Sequence, residues 1–242
     1  MVLEYKELTF RSVDGLLKSN HDLLKTINGR TEVPVLIDDD VVVVNSSDIV
    51  AYLDDRYPQR SIYPADPAIR VRARAWERAA DTFLDAILIN VSYWKWATRK
   101  DAMPRGLLEA ALADIELTYE RLDHDLARSE FVCGAFSIGD IALFPHLSGV
   151  TTLGLPYSST KHANILRWHD QMRSLPVCRA DIQRARDYFG CLREMDIETE
   201  RIFWRGDRIE WMLAHGFGDW FFGEVAAGRV LWPGASLPLS LP

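Results

Sequence analysis

Between Val33 and Asn45 the chain reads VPVLIDDDVVVVN. Two β-branched runs flank Asp38, Asp39 and Asp40, and so short a polar break predicts a β-hairpin. Asn45, Ser46 and Ser47 follow as helix-capping residues, and Ile49, Val50, Leu53 and Tyr57 recur at helical spacing until Pro58 stops the pattern. Upstream, residues 4–10 (EYKELTF) alternate weakly and predict a short strand, and residues 14–28 predict a loop and a short helix. Three prolines within residues 58–67 mark a linker. Beyond it the pattern is helical. Asp66 and Pro67 open a helix whose stripe runs Ile69, Ala73, Trp76, Ala80, Phe83, Ile87, Val91 and Trp94. A second helix opens at Pro104, and further helices begin near Ser137, near His162 and after Pro176. Phe136-Ser137-Ile138-Gly139-Asp140-Ile141 has the form of a capping box with a hydrophobic staple, which is a folding device.

Composition narrows the class. The 242 residues are 48% hydrophobic and 26% charged, ordinary values for a globular chain. The net charge of -7 disfavours a general nucleic-acid partner. Cys133, Cys178 and Cys191 form no C-x-x-C pair, which argues against a disulfide scaffold or a zinc site and for a reducing, cytoplasmic setting. The six histidines show no H-x-x-x-H spacing, so no metal is expected. No apolar run is long enough to cross a membrane, and the first ten residues lack the form of a signal peptide. G-x-S-x-G, P-loop and G-x-G-x-x-G patterns are absent.

The residues that carry a family likeness are Glu32-Val33-Pro34-Val35-Leu36, the acidic turn, Asn45-Ser46-Ser47-Asp48-Ile49-Val50-Ala51-Tyr52-Leu53, Tyr57-Pro58 and Tyr63-Pro64-Ala65-Asp66-Pro67. In this order they resemble the glutathione-binding half of the thioredoxin-like domain of glutathione transferases. The Ser137–Asp140 box resembles the S/T-x-x-D motif of that family's helical domain. The implied fold class is α/β plus all-α: a thioredoxin-like N-terminal domain (1–60), an all-helical C-terminal domain (66–190) and an aromatic-rich extension (191–242). The N-terminal domain reads as incomplete, lacking the first strand and helix that bear the family's Tyr, Ser or Cys, so the catalytic residue is unknown.

The resemblance implies glutathione as co-substrate, a homodimer, and attack of the thiolate on a small apolar or aromatic electrophile by conjugation, dehalogenation or ether cleavage. The alternative is a non-catalytic binding or regulatory dimerisation module. Glutathione would be held by Val33, Pro34, Asn45 and Ser46. A cis bond at Val33–Pro34 would present the Val33 N–H and C=O to an extended peptide. A serine at a helix N-terminus suits the γ-glutamyl carboxylate. Glu32 stands near the place of the glycine carboxylate, where its charge would repel. Tyr93, Trp94 and Trp96 would line the electrophile pocket, or else belong to the core and its edge. Asp81 and Asp85, one turn apart, would be solvated or would meet the γ-glutamyl amine across a dimer. Four of the eight tryptophans fall in residues 196–242, which reads either as a lid over a bulky acceptor or as a helix packed on the back of the helical domain.

Overall fold

The computed structural model describes residues 1–96, 102–197 and 201–232. The hairpin forms where the pattern places it: β1 (Val35–Asp38) pairs antiparallel with β2 (Val41–Val44), from Val35 opposite Val44 to Asp38 opposite Val41. Helix α3 (Ser46–Arg56) lies on the hairpin. Hydroxyls of Tyr52 and Tyr57 each donate to Asp38 Oδ2 at 2.8 Å, tying that helix to the turn and holding the Asp38 carboxyl below its ordinary value.

The strand predicted over residues 4–10 does not form. A short helix, α1 (Val2–Tyr5), stands there instead, closed by the Leu8 N–H on the Leu3 carbonyl at 2.9 Å. Tertiary contacts override the weak alternation. Lys6 is buried, ion-paired to Asp54 at 2.7 Å, and donates to the Tyr57 carbonyl at 2.8 Å. The Tyr5 ring packs on Phe136 at 5.0 Å between centroids. After a loop, α2 (His21–Asn28) ends on Gly29 at φ 72°, the left-handed conformation that favours glycine.

The helical part opens as expected, with Asp66 accepting from the Ala68 and Ile69 amides at 2.8 and 3.0 Å ahead of α4 (Pro67–Ala79). The predicted single stripe is interrupted by a π-turn at Ala80–Leu84 before α5 (Asp85–Trp96). The second helix, α6 (Leu107–Leu126), begins three residues later than Pro104 suggests. There follow α7 (Ile138–Ser148), the short α8 (Val150–Leu153), α9 (Ala163–Ser174) and α10 (Pro176–Cys191). Helix α4 lies against α7 and α6 against α9 around a core that includes Leu84, Ile87, Tyr119, Phe144 and Trp168.

The α4–α7 crossing is close. A Cβ on Gly139 would stand 2.9 Å from Val132 Cγ1 and 3.4 Å from Trp76 Cβ. The capping box is present, and Asp140 does more than cap. It also accepts from the Val132 amide at 2.9 Å and Trp168 Nε1 at 2.9 Å, which knits three segments of the core together. Burial pushes its carboxyl up to about 6 despite these donors.

The extension packs on the helical part. It leaves the body along the N-terminal region, where Ile197 bridges Leu17 and the Lys18 N–H bonds the Asp196 carbonyl at 3.0 Å. It then forms β3 (Ile202–Phe203), α11 (Gly206–Ala214), α12 (Gly218–Ala226) and β4 (Val230–Leu231), with β3 and β4 parallel. Trp204, Trp211, Met212 and Phe221 are buried in the same core cluster as the helical domain. Helix α11 covers α5, whose Ala86, Ile87, Leu88 and Val91 are apolar almost all round and need cover on both sides. No helix among the described residues is long and apolar enough to cross a membrane.

Candidate functional site

The residues singled out around the hairpin come together at the N-terminal end of α3. The Val33–Pro34 bond is cis and Val33 is half exposed. A Cβ on Gly15 would collide with Val33 Cγ1, so the preceding loop approaches this edge closely. Asn45 sits at φ 73°, a region most side chains avoid and asparagine tolerates better. Its Oδ1 accepts from the Ser47 amide at 3.3 Å, which caps the helix. The first-turn amides of α3 and the positive end of its dipole therefore meet the Ser46 and Ser47 hydroxyls at one point.

The structure places Asp81 beside these hydroxyls within the same chain, where the sequence had it solvated or acting across a dimer. Both hydroxyls donate to Asp81 Oδ2, Ser46 at 3.4 Å and Ser47 at 3.0 Å. Asp81 belongs to the π-turn, and Glu77 lies one turn before it, buried, with the Tyr63 hydroxyl 3.5 Å away and the Ser47 hydroxyl beside it. Burial first, and then the Asp81 charge, hold the Glu77 carboxyl above its ordinary value. Hydroxyl donors, helix amides and two carboxylates thus face one another between the hairpin unit and the helical unit. Such a place can bind a group that carries both charges. Asp85 is bound elsewhere, in a bidentate pair with Arg208 of α11 at 2.7 and 2.9 Å. The Glu32 carboxylate is paired with Arg30 at 2.6 Å, which offsets the repulsion expected of it.

Tyr93, Trp94 and Trp96 lie at the end of α5. Tyr93 is buried and Trp94 half-buried, with Trp220 of α12 against both rings at centroid distances of 6.1 and 5.1 Å. The side chain of Trp96 lies outside the described residues. An open groove of about 330 Å³ lies elsewhere, between α4 and α6, lined by Trp76, Phe83, Leu117 and Arg121 among others. Among the described residues no cluster of His, Cys, Asp and Glu could hold a metal ion.

The family model for the glutathione S-transferase N-terminal domain matches residues 1–61. Glutathione S-transferase GstB of Escherichia coli K12 is 28% identical over 164 residues, covering 66% of this chain and 78% of that protein. The chain is thus similar to glutathione transferases, over residues 1–61 by the family model and over 66% of its length by this relative. Protein LigF of Sphingobium sp. is 22% identical over 206 residues, 70% of this chain and 80% of LigF. The crystal structure of the β-etherase LigF superposes with a TM-score of 0.64 at 23% identity, covering 76% of this chain and 92% of LigF. A glutathione S-transferase from Methylobacillus flagellatus with glutathione bound gives 0.63 at 24% identity, over 74% and 89% of the two chains. These two structures establish the transferase fold, a thioredoxin-like unit followed by helices, and the cis proline, capped α3 and helical packing described above are this chain's version of it.

Sequence reasoning missed Glu77 and the position of Asp81. Glu77 and Asp81 do carry a signal, since two acids at i,i+4 beside an apolar stripe repel unless something binds them.

Proposed function

We propose that the chain is a glutathione-dependent enzyme that binds the tripeptide through Val33, Pro34, Asn45 and Ser46 and directs its thiolate at an apolar or aromatic electrophile. One observation carries the reading: the amides and hydroxyls at the start of α3 face Asp81 and Glu77 of the same chain. The γ-glutamyl end of glutathione is an α-amino acid, with a carboxylate for the first group and an ammonium for the second. Asp81 would serve that ammonium within its own chain rather than across a dimer. The Val33 backbone would pair with the cysteinyl unit. Tyr93, Trp94 and Trp96 would stand on the acceptor side, beside the aromatic rings of the extension. No residue is assigned to stabilise the thiolate. The names of the relatives support the class, a glutathione S-transferase and a β-etherase. Conjugation, dehalogenation and ether cleavage are variants of one thiolate attack. Pairing of two copies into a homodimer belongs to the same reading, and light scattering should return twice the chain mass.

A non-catalytic binding module is the second reading. What favours it is that the Asp81 carboxylate already rests on both serine hydroxyls. Retention on immobilised glutathione separates the two. Retention lost on Ser46→Ala, with turnover of a model electrophile such as a chloronitrobenzene, supports the enzyme. No retention of the intact protein supports the module.

A further inference from the structure

The C-terminal extension reaches the candidate site through one side chain. Asp85 N–H bonds the Ala80 carbonyl, five residues back, and the Thr82 carbonyl, three back, rather than its α-helical partner, the carbonyl of Asp81. Arg205, just ahead of α11, takes that carbonyl with Nη2 at 2.7 Å. The side chain of the same Asp81 holds the Ser46 and Ser47 hydroxyls. Three separate parts of the chain therefore converge on one residue: the extension on its carbonyl, the start of α3 on its carboxylate, and the π-turn as its backbone. The neighbouring Arg208–Asp85 pair and the Asn90 Nδ2 bond to the Arg208 carbonyl at 3.2 Å clamp α11 onto α5. Arg205 is thus anchored on an element that cannot shift without breaking these bonds, although its own side chain is about two-fifths exposed. π-turns inside helices concentrate at functional sites.

We propose that Arg205 is a positioning residue for the co-substrate site: by seizing the Asp81 carbonyl it fixes the π-turn and so aims the Asp81 carboxylate at the seat of the γ-glutamyl ammonium. The extension is in this account a working part of the site. The inference rests on the glutathione reading for its ligand and on the geometry alone for its coupling, so it is tested at both levels.

The first test needs no ligand. Hydrogen exchange of the full chain is compared between the wild type and Arg205→Met. Faster exchange across 80–86, accompanied by faster exchange at 46–49 and an unchanged α6, is expected. Acceleration confined to the extension overturns the coupling. The second test titrates glutathione and its analogue lacking the γ-glutamyl amino group into the wild type, Arg205→Met, Arg205→Lys and Asp81→Asn. Arg205→Met should weaken glutathione about fivefold, the worth of one hydrogen bond, and leave the analogue unchanged. Arg205→Lys, which can still donate to the carbonyl, should stay within about twofold of the wild type. In the Asp81→Asn background Arg205→Met should add nothing. Equal losses for both ligands, or losses that multiply in the double variant, overturn the positioning role. A wild type that binds neither ligand removes the glutathione reading, while the exchange experiment still decides the coupling.

Discussion

Replacing Asp81 by asparagine tests the site at the residue where its parts meet. The substitution keeps shape and one carbonyl oxygen but removes the charge. In the free protein the Ser46 and Ser47 hydroxyls, at 3.4 and 3.0 Å, can still donate to the amide oxygen, so the junction should survive. The change also removes a negative charge beside Glu77, whose carboxyl burial and that charge hold above its ordinary value. Stability at neutral pH should therefore be unchanged or slightly higher. Binding should suffer. A hydrogen bond between a carboxylate and an ammonium contributes about 1.5 to 3 kcal/mol, and the lower end applies where solvent still reaches. About 1.5 kcal/mol is roughly a tenfold rise in the Kd for glutathione. The assay is calorimetric titration of wild type and variant with glutathione and with the analogue lacking the amino group, beside thermal melts. The reasoning is refuted if glutathione affinity is unchanged, if both ligands lose equally, or if the melting temperature drops by more than a few degrees.

Three further outcomes are expected of the same structure. Glu77→Gln should raise the melting temperature above pH 5, because an acid whose folded pKa lies above its ordinary 4.5 gives up stability as pH rises through that range; the gain should vanish below pH 4 in melts across a pH series. Lys6→Met should cost about 3 kcal/mol in urea unfolding, since it leaves Asp54 buried with only the Ser61 hydroxyl and the Ile62 amide as donors; a cost below about 1 kcal/mol contradicts the burial argument. Burial brings His169 down to about 4, so between pH 6.5 and 4 the unfolded chain takes up a proton that the folded chain refuses, a loss approaching about 1.4 kcal/mol per pH unit. Asp140, held up to about 6, acts in the opposite direction over part of that window. His169→Asn should therefore start lower at pH 7.5, having lost the 2.7 Å bond to Tyr157, and gain on the wild type as pH falls; a constant gap refutes it.

The parts of this chain that can be read from sequence are those whose cause is local. The hairpin, the Asn45 cap, the Asp66–Pro67 start and the Ser137–Asp140 box depend on neighbours within a few residues, and each is found in place. Residues 4–10 misled because their alternation is weak and their decisive contact, Lys6 with Asp54, spans 48 positions of sequence. The π-turn was hidden because such a turn keeps an apolar stripe nearly continuous while rotating the helix beyond it. The candidate site was half legible. Val33, Pro34, Asn45 and Ser46 lie in one motif, but Asp81 reaches it only through the long-range bonds between the π-turn and the start of α3. Arg205 reaches it only because the extension folds back over α5. The aromatic richness of residues 196–232 was visible, yet its use was not, since the same rings could have served a lid or a core. Trp204, Trp211 and Phe221 are core.

The account stands on the start of α3 and the Val33 edge forming one seat for the tripeptide. The most direct measurement is a glutathione titration of isotopically labelled protein followed by amide NMR. The account predicts saturable shifts at Val33, Ser46, Ser47 and Asp81, with the Val33 and α3 signals moving together at one Kd. Shifts confined to other regions, or none at millimolar glutathione, contradict it.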